Sequence, residues 1–198
     1  MKQRVGIYSG TFDPIHIGHI AFAKEAIREL NLDTVVYLPE QQPRGKQNVT
    51  EIHHRIELIK RAIQDDNKLQ VLTVPSKQFT VAETLPQLQK HFANANFTFL
   101  VGSDIVRTFT YRWDGLEALL KTTPFAVGLR TGDKQSELET IFTQLEAQYH
   151  TPITRSYIAT KSAHVASSQF RENSANAVQL PHPTMLSYIR ENQLYIDI

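Results

Sequence analysis

The sequence predicts an α/β fold in which a doubly wound, mostly parallel sheet carries helices on both faces. The first observation is alternation, because short apolar runs of strand length are separated by segments whose apolar residues have helical spacing. The second is that these runs are nearly continuous, which is typical of strands covered on both faces. The third is size, since 198 residues suit one domain, and we expect a single domain over residues 1–198.

The first half of the chain repeats a strand followed by a helix. Short apolar runs predict strands over residues 5–8, 34–38, 69–74 and 97–101. Apolar residues at helical spacing predict helices over residues 20–31, 52–63 and 80–92. We expect Thr50 to cap the second of these helices, and Thr80 and Glu83 to form a capping box at the third. Strand–helix–strand units of this kind build a parallel sheet.

The second half continues the pattern in shorter pieces. It predicts a short helix over 116–120, a strand over 125–129, a helix over 138–149, a strand over 153–158, a shorter strand over 162–165 and a last helix over 185–194. The last helix forms a small C-terminal helical region beside a Rossmann-like sheet. Ligands of such sheets bind beyond the carboxyl ends of the strands, where the strand order reverses.

The stretch from 5 to 19, VGIYSGTFDPIHIGH, is the most informative part of the chain. A short strand gives way to a loop of small residues, and a helix then begins beside His16 and His19. A helix N-terminus offers unpaired N–H groups and a positive dipole end, which suit a phosphate group. Gly10 and Gly18 have no side chain to keep an anion away from the backbone. The alternative is a pair of surface histidines at an ordinary helix start.

Composition narrows the classes of function. Lys and Arg number 21 against 20 Asp and Glu, so nothing indicates a nucleic-acid-binding surface. The absence of Cys excludes disulfides, thiolate metal sites and cysteine nucleophiles. No apolar stretch approaches the roughly 20 residues of a membrane span, and the chain begins without a signal-peptide pattern, so we expect a cytoplasmic protein. The remaining histidines show no metal-ligand spacing.

The decapeptide GTFDPIHIGH, placed directly after a strand, resembles the first signature of the HxGH nucleotidyltransferase superfamily. Within it the chain is most similar to the nicotinate and nicotinamide mononucleotide adenylyltransferases, in particular the bacterial nicotinate-nucleotide enzymes, from Gly6 to Tyr195. The resemblance implies that His16, His19 and Arg171 are catalytic, with the two histidines at the α- and β-phosphates of ATP. It also implies an ATP site made of Ser9, Gly10, Thr11, Phe12, Gly18, Lys46, Gly102, Asp104, Ser167 and Ser168.

Residues 102–104, Gly-Ser-Asp, resemble the GxD motif of that family. There the carboxylate approaches the adenosine ribose, whose two vicinal hydroxyls are suitable donors to it. Capping of a short helix by Asp104 is the alternative, and both roles can hold together.

The resemblance implies that the pyridine mononucleotide contacts Thr80, Thr84, Trp113 and Arg130. Trp113 stands where the family has a tryptophan that stacks on the pyridine ring, and an indole face attracts such an electron-poor cation. Asp114 follows it, where the family often has a second aromatic residue. Residues 79–85 resemble the family's YTxDTL, although a capping box alone explains Thr80 and Glu83, and a core tryptophan is the alternative at Trp113.

Residues 165–171, VASSQFR, resemble the second family signature, ISSTxxR. Ala166 replaces its first serine and Ser168 its threonine, and the resemblance implies that the hydroxyls hold triphosphate oxygens beside Arg171. A serine-rich helix cap is the alternative. Arg44 and Lys46 lie in the region of the family's basic loop, and it stays open which of them contacts phosphate or whether both are solvated charges.

The resemblance therefore implies adenylyl transfer from ATP to nicotinate or nicotinamide mononucleotide, which yields the dinucleotide and pyrophosphate. Mg²⁺ accompanies ATP and is bound chiefly by the triphosphate, so we expect no protein metal cage. The expected partners are ATP and a pyridine mononucleotide, without nucleic acid or membrane, and a homo-oligomer stays open. Two alternatives remain: another HxGH enzyme, such as phosphopantetheine adenylyltransferase or a cytidylyltransferase, and a nucleotide-binding regulator without turnover, which the altered 165–171 signature keeps open.

Overall fold

A computed structural model describes residues 2–111, 114–160, 162–172 and 180–195, apart from the side chains of residues 169 and 172. Six strands of this part form one sheet. They are β1 (Arg4–Gly10), β2 (Thr34–Pro39), β3 (Leu69–Val71), β4 (Asn96–Gly102), β5 (Phe125–Leu129) and β6 (Arg155–Ala159). The prediction of a single domain over the whole chain stays a prediction.

The strand order places the carboxyl end of β1 at the centre of the sheet. The order is β3-β2-β1-β4-β5-β6, and every neighbouring pair is parallel. Ile7 of β1 is in register with Val36 of β2 on one side and with Phe99 of β4 on the other. The order reverses between β1 and β4, which is where ligands of doubly wound sheets bind. The predicted α/β, Rossmann-like fold is confirmed.

Helices cover both faces of the sheet. In the described part of the chain they are α1 (Ile17–Leu30), α2 (Ile52–Ile63), α3 (Val81–His91), α4 (Ser103–Thr108), α5 (Leu116–Thr122), α6 (Gln135–Tyr149), α7 (Ser167–Glu172) and α8 (Pro183–Glu191). No helix in these ranges is long and apolar enough to cross a membrane.

Alternate side chains of the strands feed two separate hydrophobic layers. Val35 and Tyr37 of β2 pack with residues of α1, α2 and α8 on one face, whereas Val36 and Leu38 pack with α3, α4, α5 and α6 on the other. All four are at most 2% exposed, as expected for a strand buried on both faces.

Three predicted elements are wrong in detail. The strand predicted over 69–74 ends at Val71, because the partner strand β2 ends at Pro39, which has no N–H to donate. The strand predicted over 162–165 is a turn, closed by a bond from the Val165 N–H to the Ser162 carbonyl. The last helix ends at Glu191 rather than at residue 194.

Thr50 does not cap α2. Glu51 occupies the N-cap position without a side-chain hydrogen bond, and the helix begins at Ile52. The Thr50 carbonyl instead accepts a hydrogen bond from Nε of Arg55, 2.7 Å away. The start of α2 is therefore fixed by a buried arginine and not by a hydroxyl cap.

Candidate active site

A cavity of about 750 Å³ opens at the carboxyl ends of β1 and β4. Two segments border it, which we name the phosphate loop (residues 9–16) and the basic loop (residues 40–50). Thirteen of the residues implied by the sequence line this cavity: Ser9, Gly10, Thr11, Phe12, His16, His19, Lys46, Gly102, Asp104, Arg130, Ser167, Ser168 and Arg171. Gly18 lines a smaller adjoining cavity of about 60 Å³.

His16, at the end of the phosphate loop, and His19, in the first turn of α1, cap that helix reciprocally. His16 is the N-cap residue, and its Nδ1 accepts the Gly18 N–H at 3.1 Å. The His16 N–H in turn donates to Nδ1 of His19 at 3.2 Å. The rings stack with their centroids 3.7 Å apart. Two imidazoles thus do what Ser and Glu do in an ordinary capping box.

These hydrogen bonds determine the protonation state of the pair. Because each Nδ1 accepts a backbone N–H, the single ring proton of each neutral imidazole belongs on Nε2. Burial, with the charge of Arg130, lowers the pKa of His16 to about 3. Burial likewise lowers the pKa of His19 well below its usual value, reinforced by His16 and by the cations Arg130 and Lys46. Near neutral pH the pair therefore offers two uncharged Nε2–H donors.

Aromatic side chains surround His19. The ring of Phe12 lies edge-on with its centroid 5.1 Å from that of His19, and the ring of Tyr8 lies 5.9 Å away. The hydroxyl of Tyr37 donates to the His19 carbonyl at 3.3 Å. This apolar wall removes water from one side of the imidazole, which strengthens any hydrogen bond that it makes to an anion.

Gly18 makes room for His16. A Cβ at this position would lie 2.9 Å from Cε1 of His16 and 3.0 Å from the carbonyl oxygen of Ser162. A side chain here would displace the imidazole or the neighbouring loop. At Gly10 the close neighbour is the Phe12 ring, 3.1 Å from the corresponding position. Both glycines thus allow close packing within the site itself.

Four cationic side chains of the described residues border the same cavity, which are Arg44, Lys46, Arg130 and Arg171. The Arg171 guanidinium donates through Nη1 to the Asp13 carbonyl at 2.6 Å, which ties α7 to the phosphate loop. Nη2 of Arg130 lies 3.4 Å from Oδ1 of Asp104. Burial, and secondarily the charge of Arg171, lowers the pKa of Lys46. The cavity is therefore electropositive around the two imidazoles, which favours an anionic ligand.

The serines of the second signature divide their tasks. The hydroxyl of Ser167, the first residue of α7, donates to the Pro14 carbonyl at 3.0 Å. Ser168 is exposed and, like Ala166, borders the cavity. The site therefore keeps one hydroxyl directed to the protein and one on the cavity wall.

Asp104 does not cap the helix that follows β4. The N-cap of α4 is Gly102, without a side-chain hydrogen bond, and Asp104 is the second residue of the helix. Its carboxylate is 55% exposed and pairs with Arg130 instead. The capping alternative is wrong, whereas the assignment of Asp104 to the ribose stays a prediction.

Of the residues assigned to the mononucleotide, Arg130 borders the larger cavity, but Thr80 and Thr84 do not. Thr80 caps α3 by accepting the Glu83 N–H at 3.2 Å, but its own N–H donates to Oγ1 of Thr84 at 3.1 Å, so Thr84 and not Glu83 completes the cap. Neither threonine is among the residues that border the larger cavity. Trp113 lies outside the described residues. Tyr111, two positions earlier, borders the cavity and is 73% exposed.

Arg44 and Lys46 are held differently. Both border the cavity, but Nε of Arg44 donates to Oε1 of Gln78 at 2.7 Å. The charge of Lys46 lowers the pKa of His19, and the charge of Arg171 lowers the pKa of Lys46. The assignment of Lys46 to the phosphates stays a prediction.

Sequence reasoning missed two residues that shape the site, Arg55 and Glu40. Arg55 was detectable, because it falls three residues after Ile52 and four before Ile59 on the apolar face of α2. Oε1 of Glu40 accepts from Oγ of Ser9 at 3.4 Å and from the Phe79 N–H at 3.2 Å. No local sequence pattern predicts these contacts of Glu40, since the two partners lie 31 and 39 residues away in the chain.

The chain is similar along nearly its whole length to known proteins. The cytidylyltransferase-like family model matches residues 7–173. A probable nicotinate-nucleotide adenylyltransferase of Bacillus anthracis is 31% identical over 201 residues, with 98% of each chain covered, and one of Clostridium botulinum is 29% identical with the same coverage. A Plasmodium falciparum nicotinic acid mononucleotide adenylyltransferase, solved with NaAD, matches with a TM-score of 0.77 at 21% identity, covering 98% of this chain and 97% of that one. This structural match shows a shared fold.

Proposed function

We propose that the chain, which belongs to the cytidylyltransferase-like family and is a nucleotidyltransferase, transfers the adenylyl group of ATP to nicotinate mononucleotide. The products are the nicotinate dinucleotide and pyrophosphate. One observation carries the proposal. Two neutral imidazoles cap a helix inside an electropositive cavity at the switch point of the sheet.

The reaction needs no nucleophile from the protein. An oxygen of the mononucleotide phosphate attacks the α-phosphorus of ATP, the new P–O bond forms, and the bond from the α-phosphorus to the α–β bridging oxygen breaks. The electron pair leaves with pyrophosphate. Such a transfer depends on in-line positioning and on stabilising the charge of the phosphoryl oxygens. In this proposal the residues that border the cavity supply both the positioning and the charge stabilisation.

His16 and His19 donate hydrogen bonds through Nε2–H to the phosphate oxygens on which charge develops. A neutral donor whose ring is held by a backbone N–H at Nδ1 keeps its direction during the reaction, so little reorganisation is needed. Lys46 and Arg171 neutralise the outer phosphates that become the leaving group. Ser167 and Ser168 lie beside them, at the start of α7.

The remaining assignments follow the same geometry. Ser9, Gly10, Thr11, Phe12, Gly18, Gly102 and Asp104 complete the ATP site in this proposal. Thr80, Thr84, Trp113 and Arg130 are assigned to the mononucleotide. We assign Arg130 a second role at the phosphates, which its charge effect on the pKa of His16 supports.

We propose that the divalent metal arrives with the nucleotide. In the described ranges no group of three His, Asp or Glu side chains is arranged to hold a metal ion. Mg²⁺, carried by the triphosphate oxygens, supplies neutralisation of phosphate charge. The protein groups then hold the phosphates themselves.

Nicotinate mononucleotide is chosen as the acceptor because the relatives that match over 98% of this chain have that substrate in their names. The segment 79–85 agrees with the choice only through its resemblance to the YTxDTL segment of the deamido-preferring enzymes. A cytoplasmic location and a homo-oligomer stay predictions.

Pyrophosphate release tests the proposal. Purified protein is incubated with ATP and Mg²⁺, and with nicotinate or nicotinamide mononucleotide in parallel reactions. We expect release with nicotinate mononucleotide, at a higher kcat/KM than with nicotinamide mononucleotide. Release only with phosphopantetheine as the acceptor, or only with CTP as the nucleotide donor, would contradict the proposal. Binding of ATP without turnover, whichever acceptor is added, would also contradict it.

A further inference from the structure

A buried guanidinium lies beneath the ATP site. Arg55, the fourth residue of α2, is 1% exposed. Its Nε donates to the Thr50 carbonyl at 2.7 Å, its Nη1 to the Thr11 carbonyl at 2.7 Å, and its Nη2 to the Glu40 and Gln41 carbonyls at 2.8 and 3.3 Å. All four bonds thus end on main-chain oxygens of the phosphate loop and the basic loop.

Burying the charged guanidinium of Arg55 raises the free energy of the folded state, and other interactions must offset this increase. A buried charge without a paired carboxylate is unfavourable, and burial lowers the pKa of Arg55, while Asp13, Tyr195 and Glu40 act in the opposite direction. The carboxylate of Asp13 is itself occupied, because it accepts from the Tyr195 hydroxyl at 2.8 Å and from the Thr50 N–H at 3.3 Å. An apolar side chain would avoid the cost, so the guanidinium must provide something that packing alone does not.

We propose that Arg55 is a positioning residue that joins the phosphate loop to the basic loop and holds both in the geometry that binds ATP. The guanidinium has a planar fork of donors, which can satisfy carbonyls from several chain segments in fixed directions. Thr11 lies in the loop that leads to His16, and Glu40 begins the loop that carries Lys46. Arg55 therefore sets the distance between the imidazole pair and the lysine without contacting the nucleotide.

This inference rests on the proposed function only through the identity of the ligand, so its test measures binding and not turnover. The affinity for ATP with Mg²⁺ is measured by isothermal titration for the wild type, Arg55→Lys and Arg55→Met. Lys keeps the charge but loses the fork, and Met keeps much of the apolar stem and loses the donors. We expect Kd to rise about tenfold in Arg55→Lys and further in Arg55→Met, about 1.4 kcal/mol for each tenfold change.

Arg61→Lys is the matched control on the same helix. Arg61 pairs with Glu57 at 2.9 Å and donates to the Thr184 carbonyl at 3.1 Å, and it contacts neither loop. We expect its Kd for ATP to stay within about twofold of the wild type. Equal changes in the Arg55→Lys and Arg61→Lys proteins would overturn the proposal, as would an unchanged Kd in both Arg55 variants.

Hydrogen exchange of the wild type covers the case in which neither Arg55 variant folds. The amides of residues 9–16 and 40–50 are then compared for protection. If Arg55 joins the two loops, they open together with one free energy. Independent opening of the two loops would overturn the proposal, and pyrophosphate release by the wild type is assayed separately so that failure of the proposed function is recognised on its own.

Discussion

Two pairs of imidazoles lie at helix starts in this molecule, and the two pairs have different surroundings. His16 and His19 frame the start of α1 with their ring centroids 3.7 Å apart. His53 and His54 lie in the first turn of α2 with centroids 3.9 Å apart. Residue type, ring separation and position on a helix are thus nearly the same in the two pairs.

The pairs differ in what their ring nitrogens contact. Nδ1 of His16 and Nδ1 of His19 each accept a backbone N–H inside the site. Nδ1 of His53 instead faces the Glu51 carboxylate at 3.2 Å with the side chain 60% exposed, and Nδ1 of His54 lies 2.9 Å from the Tyr188 hydroxyl. Burial and main-chain bonding, rather than the presence of two histidines, make one pair a fixed set of neutral donors.

The largest expected contrast is in turnover. His19→Ala removes a directed donor to the phosphates, and we expect kcat to fall by about 100-fold or more. The lost cap at His16 costs about 1 kcal/mol of stability, which leaves the protein folded. His53→Ala is the matched control, and we expect its kcat to stay within about twofold. Near-normal turnover in a well-folded His19→Ala protein would break the distinction between the pairs.

The second contrast is in acid stability. The native pKa of His16 is about 3 and that of His19 is also lowered, whereas an unfolded histidine titrates near 6.5. Above pH 6.5 neither state binds the proton and the full stability is present. Below pH 6.5 the unfolded state binds protons that the native state excludes, so the free energy of unfolding falls by up to about 1.4 kcal/mol per pH unit for each histidine.

Urea unfolding at pH 7, 6 and 5 measures this loss. The control is the double variant His16→Asn/His19→Asn, in which Asn can still cap α1 but cannot titrate. Its free energy of unfolding is expected to fall less steeply with pH. His54, whose pKa is lowered by burial and by His53, contributes equally to both proteins. If the free energy of unfolding fell equally steeply with pH in both proteins, this would contradict the claim that His16 and His19 are neutral in the native state.

Gly18→Ala sharpens the comparison at a smaller scale. The new Cβ would approach the His16 ring at 2.9 Å, so the imidazole must shift, and we expect kcat to fall about tenfold. The same Cβ would lie 3.0 Å from the Ser162 carbonyl oxygen, so we expect the thermal midpoint to fall as well, and kcat is measured at a temperature where the variant is folded. Unchanged kcat would show that the exact ring position is unimportant.

Tyr188→Phe gives the smallest expected effect. It removes the hydroxyl partner of His54 but keeps the aromatic ring, over which the Arg61 guanidinium lies 4.6 Å from the centroid. We expect a loss of about 1 kcal/mol or less in the free energy of unfolding and no change in kcat. A large fall in kcat would mean that the contact between α2 and α8 affects the geometry of the active site.

The sequence was sufficient to predict the features that depend on residues close to one another in the chain. Apolar runs identified all six strands of the described sheet, and the small residues before His16 identified the strand-to-helix turn at its switch point. The fold class followed from these two, whereas the family followed from the resemblance of GTFDPIHIGH and the later motifs to known signatures. Their signals are strong because period and turn chemistry depend on neighbouring residues only.

The features that the sequence did not predict depend on contacts between distant segments. The position of Arg55 on the apolar face of α2 was detectable, but its bond to the Thr11 carbonyl, 44 residues away, was not. At α3 the spacing favoured Glu83 as the second residue of the cap. Thr84 completes it instead, because the Thr80 N–H donates to the Thr84 hydroxyl. The direction of each Nδ1 in the HxGH pair was equally invisible, since spacing does not reveal which ring atom meets which backbone group.

The central claim is that His16 and His19 are neutral, Nε2–H imidazoles, and long-range ¹H–¹⁵N NMR of the ring nitrogens tests it most directly. Spectra are recorded at pH 7 and pH 5, with assignment by the single variants His16→Asn and His19→Asn. The account predicts that both rings carry their proton on Nε2 and an unprotonated Nδ1 at both pH values, as burial and the Nδ1 bonds require. A proton on Nδ1 of either ring at pH 7, or full protonation of either ring at pH 5, would contradict it.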